Sequence, residues 1–140
     1  AHVLCKLPRD AEGYMGRLRC VQEISAVTAA CMMIKTSVFK AVGGFDEELK
    51  VAFNDIDLCM KVRKYGVKIV FTPYAELYHY ESKSRGMEDT PEKQLRFSRE
   101  VNCFRRKWER ELLKGDPYYN PNLTLNNTDC SLRKQEKNGD

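Results

Sequence analysis

The feature that most constrains the fold is a long amphipathic helix, predicted from Thr90 to about Lys114. Pro91 stands in its first turn, where a missing amide donor costs nothing. Large apolar residues follow at spacings of four, three, four and four, which places them on one face. They are Phe97, Val101, Phe104, Trp108 and Leu112. The opposite face mixes Arg and Glu and is expected to be solvated, so the helix must pack its stripe against another layer.

Length and composition fit one ordinary globular domain. The chain has 140 residues, of which 42% are hydrophobic and 31% charged. The net charge of +4 permits an anionic ligand such as a nucleotide diphosphate. Interspersed acids argue against a nucleic-acid surface. No apolar run reaches the roughly 18 residues of a membrane span, and no signal peptide is evident, which favours a location in the cytoplasm or at the inner face of the membrane.

The cysteines favour a reduced protein. Six of them occur without a CxxC pair, at positions 5, 20, 31, 59, 103 and 130. Cys31, Cys59 and Cys103 stand in apolar stretches, where a thiol behaves as a small hydrophobe. A disulfide scaffold or zinc site is therefore disfavoured.

Strand and helix patterns alternate before the long helix. The apolar, β-branched run 21–35 predicts a buried strand, and Thr36 predicts the cap of a short helix ending at Gly43. A double-glycine turn, "GGFDEEL", leads to a second helix over about 55–65. A strand is predicted in "VKIVFTP", and alternation in "AELYHYE" puts Leu77 and His79 on one face. We divide the chain into an N-terminal loop region (1–20), an α/β part (21–115) and a polar tail (116–140), which we expect to be extended or disordered toward its end.

Acidic residues cluster where the second helix begins. Asn54 is predicted to be its N-cap, and Asp57 has a structural partner in Lys61, four residues on. Asp55 falls in the first turn, where unpaired amides and the positive dipole end favour a negative group. From the residues alone, capping and catalysis are equally good interpretations of Asp55.

Three segments together resemble a known family. In order and spacing, "VTAACMMIKTSVFKAVGGFDEEL", "NDIDLCMKVRKYG" and "PYAELYHYESKSRG" are similar to the C-terminal half of GT-A-fold glycosyltransferases of family 2. Within that family, the chain is most similar to the bacterial enzymes that build O-antigen and rhamnose-containing surface polysaccharide. The resemblance implies the C-terminal portion of a GT-A α/β fold: an incomplete mixed sheet, flanking helices and a long C-terminal helix.

The resemblance also implies chemistry. Such enzymes transfer a sugar from a nucleotide-sugar to a glycan hydroxyl with inversion, using a divalent cation, Mn²⁺ or Mg²⁺. In the matched motifs Asp55 is the general base, and Gly43, Gly44 and Asp46 lie on the acceptor side. His79 approaches the metal and diphosphate, and Arg85 lies in the loop that closes over them. From the residues alone, a buried histidine and a solvated loop arginine are the commoner interpretations of these two positions.

This sequence departs from the family pattern in several places. Relatives often carry Glu-Asp where this chain has Asn54-Asp55, which leaves Asp55 as the lone base. The QxxRW signature of processive synthases is replaced by "FRRKW", which points to addition of a single sugar. The nucleotide-binding βαβ half and its DxD are missing, so we expect an inactive fragment of a hexosyltransferase-type enzyme.

Two further expectations follow. The alternative to an enzyme is a non-catalytic interaction module that docks a partner through the aromatic stripe of the long helix; exposure of Phe104 and Trp108 would favour it. The incomplete sheet of a C-terminal half has an open edge with unpaired backbone groups. We therefore expect the fragment to self-associate through that edge.

Overall fold

The computed structural model of the chain describes residues 7–78 and 90–134. In chain order, its elements are a 3₁₀ helix at Tyr14–Arg19, strand β1 at Gln22–Glu23, a second 3₁₀ helix at Ala29–Cys31, helix α1 at Thr36–Ala41, helix α2 at Asn54–Lys64, strand β2 at Val70–Phe71 and helix α3 at Pro91–Leu113. The three predicted helices are therefore present, and α2 and α3 begin and end within one residue of their predicted limits.

The sheet in the described part is smaller than predicted. Strands β1 and β2 pair antiparallel, with Gln22 opposite Phe71 and Glu23 opposite Val70, instead of forming a mixed sheet. The predicted strand over 21–35 is wrong beyond its start, because the chain leaves the pairing and Thr28 caps a 3₁₀ turn through the Ala30 amide. The predicted strand in "VKIVFTP" likewise shortens to two residues, and 75–78 form none. Apolar composition indicates an extended, half-buried segment, but a strand also needs a hydrogen-bonding neighbour.

A first core lies between α2, α1 and the segment after β1. Its buried members on α2 are Leu58, Cys59 and Val62. From α1 and its end, the predicted face of Val38, Phe39 and Val42 packs against them. The apolar run after β1 therefore contributes packing even though most of it is not a strand.

A second core joins α2 to α3. Leu49, Phe104 and Trp108 are buried together, and Ile56 and Met60 pack against them from α2. Phe53, just before α2, stacks on Phe104 with ring centroids 5.0 Å apart. Helix α2 is thus covered on two sides, which fixes its first turn relative to both neighbouring layers.

The ends of α3 follow local signals, but its stripe is only partly covered. The Thr90 hydroxyl accepts the Lys93 amide, and Pro91 is the first helical residue. Phe104 and Trp108 are 6% and 4% exposed, whereas Phe97 and Leu112 are 41% and 46% exposed. The backbone departs from helical geometry at Trp108, with φ −114° and ψ 19°. Among the described residues no helix is both long and apolar enough to cross a membrane.

The polar tail is folded back as far as residue 134, and the end for which extension or disorder was predicted lies partly outside the described residues. Leu123 bridges antiparallel to Leu132, and both Leu123 and Cys130 are buried. The Tyr118 hydroxyl donates to Glu23 over 3.0 Å, and the Arg63 guanidinium lies 5.5 Å from the Tyr118 ring. The segment therefore straps β1 to the end of α2.

The described cysteines are free thiols in different surroundings. Cys59 is buried as predicted, and burial raises the pKa of its thiol. Cys103 is half-buried, but Cys31 is exposed, which contradicts its predicted apolar setting. The 3₁₀ turn explains the error, because it turns Cys31 outward at a place where a strand was expected.

Candidate functional site

The start of α2 has an unusual entry. Phe53, not the predicted Asn54, is the N-cap, and it adopts a left-handed backbone with φ 63°. Such a conformation is strained for an aromatic residue; stacking of the ring on Phe104 holds it in place. Asn54 is the first helical residue, and its Oδ1 accepts the Asp55 amide at 2.7 Å. The entry therefore fixes the direction in which Asp55 leaves the helix.

Asp55 lies between the first turn of α2 and the 3₁₀ turn at Ala29–Cys31. Its Oδ2 accepts the Ala29 amide at 3.2 Å, and its Oδ1 accepts the Ile56 amide at 2.8 Å. The side chain is half-buried. Backbone donors thus hold both carboxylate oxygens in a defined orientation, which a base must have if it is to meet a hydroxyl in one pose.

The double-glycine turn requires glycine. Gly43 and Gly44 have φ of 81° and 64°, in the region that side chains rarely adopt. A Cβ on Gly44 would lie 3.1 Å from the Phe39 ring, whereas one on Gly43 would meet nothing within 4 Å. The turn is therefore packed against α1 at Gly44 and open at Gly43.

Asp46, in the same turn, has both oxygens engaged. Oδ1 accepts the Glu48 amide at 3.0 Å, and Oδ2 pairs with the Lys107 ammonium. The hydrogen bond from Lys107, followed by that from the Glu48 amide, lowers the pKa of the Asp46 carboxyl. Contacts within the protein therefore fix the orientation of the Asp46 carboxylate. Its predicted role on the acceptor side stays a prediction.

A surface depression connects the turn to the start of α2. It is open, has a volume of about 420 Å³ and includes one predicted site residue, Asp46, together with Asn54 of the helix start. Its full lining is Phe45, Asp46, Glu47, Leu49, Lys50 and Asn54. The Asp55 carboxylate instead contacts Ala29. Among the described residues, no hydrogen bond or ion pair links the Asp55 carboxylate to the turn, and the two are joined through the helix start.

Asp57 is a functional-site neighbour that the sequence analysis recognised only in part. The predicted pair with Lys61 is present, with 3.0 Å between Lys61 Nζ and Asp57 Oδ2. The contact is an ion pair, because its geometry does not meet that of a hydrogen bond. Helical spacing did not predict the burial of Asp57, which is complete. Nor did it predict that Oδ1 of Asp57 receives the Trp108 indole N–H and the Lys107 ammonium, both at 2.8 Å. The sequence signal for these contacts is an aspartate on a helix that packs its apolar residues on two sides. A carboxylate buried in such a place requires a cation or a hydrogen-bond donor as a partner.

Lys107 lies at the centre of this network. Burial disfavours its charged form, but hydrogen bonds to Asp46 and Asp57 outweigh that effect and raise its pKa. The two carboxylates are balanced by two ammonium groups, Lys107 and Lys61. The network therefore connects the double-glycine turn, α2 and α3 without net charge.

Two predicted site residues, His79 and Arg85, lie outside the described residues. In 7–78 and 90–134, no group of three or more His, Cys, Asp and Glu is placed to hold a metal ion. The described side chains thus do not by themselves fit a divalent cation, and the predicted metal and diphosphate contacts stay predictions.

Residues 11–101, more than half of the chain, match the family described as "Glycosyltransferase like family 2". The chain belongs to glycosyltransferase family 2.

Three relatives refine this picture. An uncharacterized protein, y4gI, of Sinorhizobium fredii is 57% identical over 126 residues, which are 89% of this chain and 14% of the relative. The O-antigen biosynthesis protein RfbC of Myxococcus xanthus is 39% identical over 115 residues, 82% of this chain and 9% of the relative. An N-acetylglucosaminyl-diphospho-decaprenol L-rhamnosyltransferase of Mycobacterium tuberculosis is 34% identical over 62 residues, 44% of this chain and 20% of the relative.

The chain therefore spans a fifth or less of the length of these relatives. No solved structure matches it. The family and the names of two relatives support glycosyl transfer in polysaccharide synthesis, an activity of proteins much longer than this chain.

Proposed function

We propose that this chain is the acceptor-side part of a GT-A catalytic domain in an inverting, hexosyltransferase-type enzyme of surface polysaccharide synthesis. The enzyme transfers a sugar from a nucleotide-sugar to a hydroxyl of a glycan acceptor. Family membership supports the reaction class. The observation that carries the residue assignment is the backbone-held, half-buried carboxylate of Asp55 at the start of α2.

Asp55 acts as the general base. It accepts the proton of the acceptor hydroxyl while that oxygen bonds to the anomeric carbon from the face opposite the nucleotide. The bond between the anomeric carbon and the diphosphate breaks, and its electron pair leaves with the nucleotide. Because attack and departure occur on opposite faces, the anomeric configuration inverts. A positioned base contributes on the order of 10²–10⁴ to such a rate.

The contacts of Asp55 leave acceptor positions on its carboxylate for the hydroxyl of the glycan. An ionised carboxylate offers about four acceptor positions, and the Ala29 and Ile56 amides use one on each oxygen. A hydroxyl therefore has a place to donate without displacing the bonds that orient the base.

The acceptor side is assigned to the double-glycine turn and the adjoining depression. Gly43 and Gly44 shape the turn, and Asp46 with Asn54 borders the depression. Phe45, 46% exposed, adds an apolar face of the kind on which a sugar ring stacks. His79 as a metal ligand and Arg85 as a diphosphate contact complete the proposal. A divalent cation is expected in the complete enzyme, where it would neutralise charge on the departing diphosphate.

By itself the 140-residue chain is expected to be inactive, because the nucleotide pocket of the family lies outside the matched segments. The interaction-module alternative is disfavoured by burial. Phe104 and Trp108, the two side chains it needs on the surface, are packed against α2 and Leu49.

The test of Asp55 uses the full-length protein that carries this chain. Asp55→Asn removes the base but keeps a side chain of the same size, so turnover should fall by about 10²–10⁴ with donor affinity unchanged. Glu109→Gln, which neutralises an exposed acid on α3, is the matched control and should retain turnover. Undiminished turnover in Asp55→Asn would exclude Asp55 as the base.

A further inference from the structure

The network around Lys107 joins three parts of the fold through one ammonium group. One ammonium group contacts a carboxylate of the double-glycine turn, Asp46, and a carboxylate of α2, Asp57. Lys107 is about one-third exposed, whereas Asp57 is fully buried. A cation shared by two carboxylates fixes the distance between the elements that carry them.

The elements so joined are those proposed to meet the acceptor. Asp46 borders the depression, and Asp57 is two residues from Asp55 in the same helical turn. Other contacts hold the Asp57 side of the network, since the Trp108 indole donates to Oδ1 and Lys61 faces Oδ2. On the turn side, the ammonium of Lys107 is the charged partner of Asp46, and the Glu48 amide is its neutral one.

The backbone of α3 is consistent with this role. Helical geometry is interrupted at Trp108, the residue after Lys107. Lys107 and Trp108 are consecutive on a helix, where neighbours point in directions about 100° apart. Both nevertheless contact the same oxygen of Asp57.

We propose that Lys107 is a positioning residue for glycosyl transfer, which holds the acceptor-side turn at a fixed distance from the helix start that carries the base. The inference rests on the proposed function. Without this ammonium, Asp46 retains only the Glu48 amide as a hydrogen-bond donor. The packing of Leu49 and the contact of Cys103 with Glu48 still hold the turn, but its distance from the start of α2 is less tightly fixed. The acceptor hydroxyl then loses its alignment with Asp55.

The kinetic test compares variants of the full-length protein, with a nucleotide-sugar that supports wild-type turnover and a glycan acceptor. Lys107→Met should raise the acceptor KM about tenfold and leave the donor KM within about twofold. Lys107→Arg, which keeps the charge and can donate to two carboxylates, should recover most of the loss. Lys114→Met, an exposed lysine just after the same helix, should behave as wild type. A merely structural loss would lower active enzyme without separating the two KM values.

A double-mutant cycle tests whether Lys107 acts through Asp46. Asp46→Asn keeps an oxygen for the Glu48 amide but removes the charge that pairs with Lys107, and it does not disturb buried Asp57. The double variant should lose no more than the more affected single variant. Additive losses, an unchanged acceptor KM in Lys107→Met, or equal changes in both KM values would each overturn the proposal.

Hydrogen exchange separates this inference from the proposed function. In Lys107→Met, amides of residues 46–49 should exchange about tenfold faster, while those of α1 remain at wild-type rates. If the wild-type protein transfers no sugar, the proposed function fails, and exchange still decides whether Lys107 fixes the turn. Unchanged exchange at 46–49 overturns the inference even in an active enzyme.

Discussion

Gly43 and Gly44 differ in their surroundings although they share a backbone conformation. Both have positive φ, which costs a residue with a side chain roughly 1–2 kcal/mol. Only Gly44 faces a neighbour, the Phe39 ring. At this scale the turn depends on glycine for two separable reasons, conformation and contact.

A pair of substitutions separates those reasons. Gly43→Ala should lower the free energy of unfolding by about 1 kcal/mol, from backbone strain alone. Gly44→Ala should lower it further, by about 1 kcal/mol or more, because the new methyl group presses on Phe39. Urea unfolding of the chain, followed by fluorescence of its only tryptophan, Trp108, measures both. Equal losses would mean that the Phe39 contact has no energetic weight.

Asp57 shows what could be predicted for a single residue and what could not. Its pair with Lys61 is a local matter of helical spacing, and the sequence analysis predicted it correctly. Its contacts with Lys107 and Trp108 join residues far apart in the sequence. They depend on how α3 packs against α2, which no local pattern contains.

At the scale of elements, helices were predictable because their signals are local. Thr90 and Pro91 define the start of α3, and periodicity defines its buried face. The strands were overestimated because pairing depends on neighbours distant in sequence, as Glu23 and Val70 are. Of the candidate site, the position of Asp55 and the glycine turn could be predicted, but the Lys107 contacts that connect the turn with α2 could not.

The link between elements has a pH dependence with a defined sign. The pKa of Asp46 lies below its ordinary value of 3.8, chiefly because of the hydrogen bond from Lys107. A carboxyl with a lowered folded-state pKa stabilises the fold above the unfolded-state value, and this contribution is lost as the pH falls through the folded-state value.

Stability should therefore fall as the pH drops below about 4, and Lys107→Met should weaken that dependence. Urea unfolding at a series of pH values between about 6 and 2.5 measures it, with Lys114→Met as the control. An equally steep acid dependence in Lys107→Met would show that the Asp46 pair contributes nothing to stability.

At the scale of the whole molecule, apolar surface remains uncovered on the described residues. Val21 and Val70, beside and within the two-stranded sheet, are 56% and 51% exposed, and Leu77 is 72% exposed. Relatives many times longer contain chain that could cover such a face. Self-association of the isolated chain through the sheet edge stays a prediction.

Two cores hold the candidate site in place within the described residues. Helix α2 packs against α1 on one side and α3 on the other, and the tail straps its end to β1. The proposed acceptor side therefore lies on elements that are packed together within the described residues.

The central claim is that Asp55 deprotonates an acceptor hydroxyl in a single inverting displacement. The most direct measurement is the anomeric configuration of the new glycosidic bond, determined by NMR on the product that the full-length protein makes from a nucleotide-sugar and a glycan acceptor. An inverting displacement gives a configuration opposite to that of the donor; a product with the donor's configuration would exclude this mechanism.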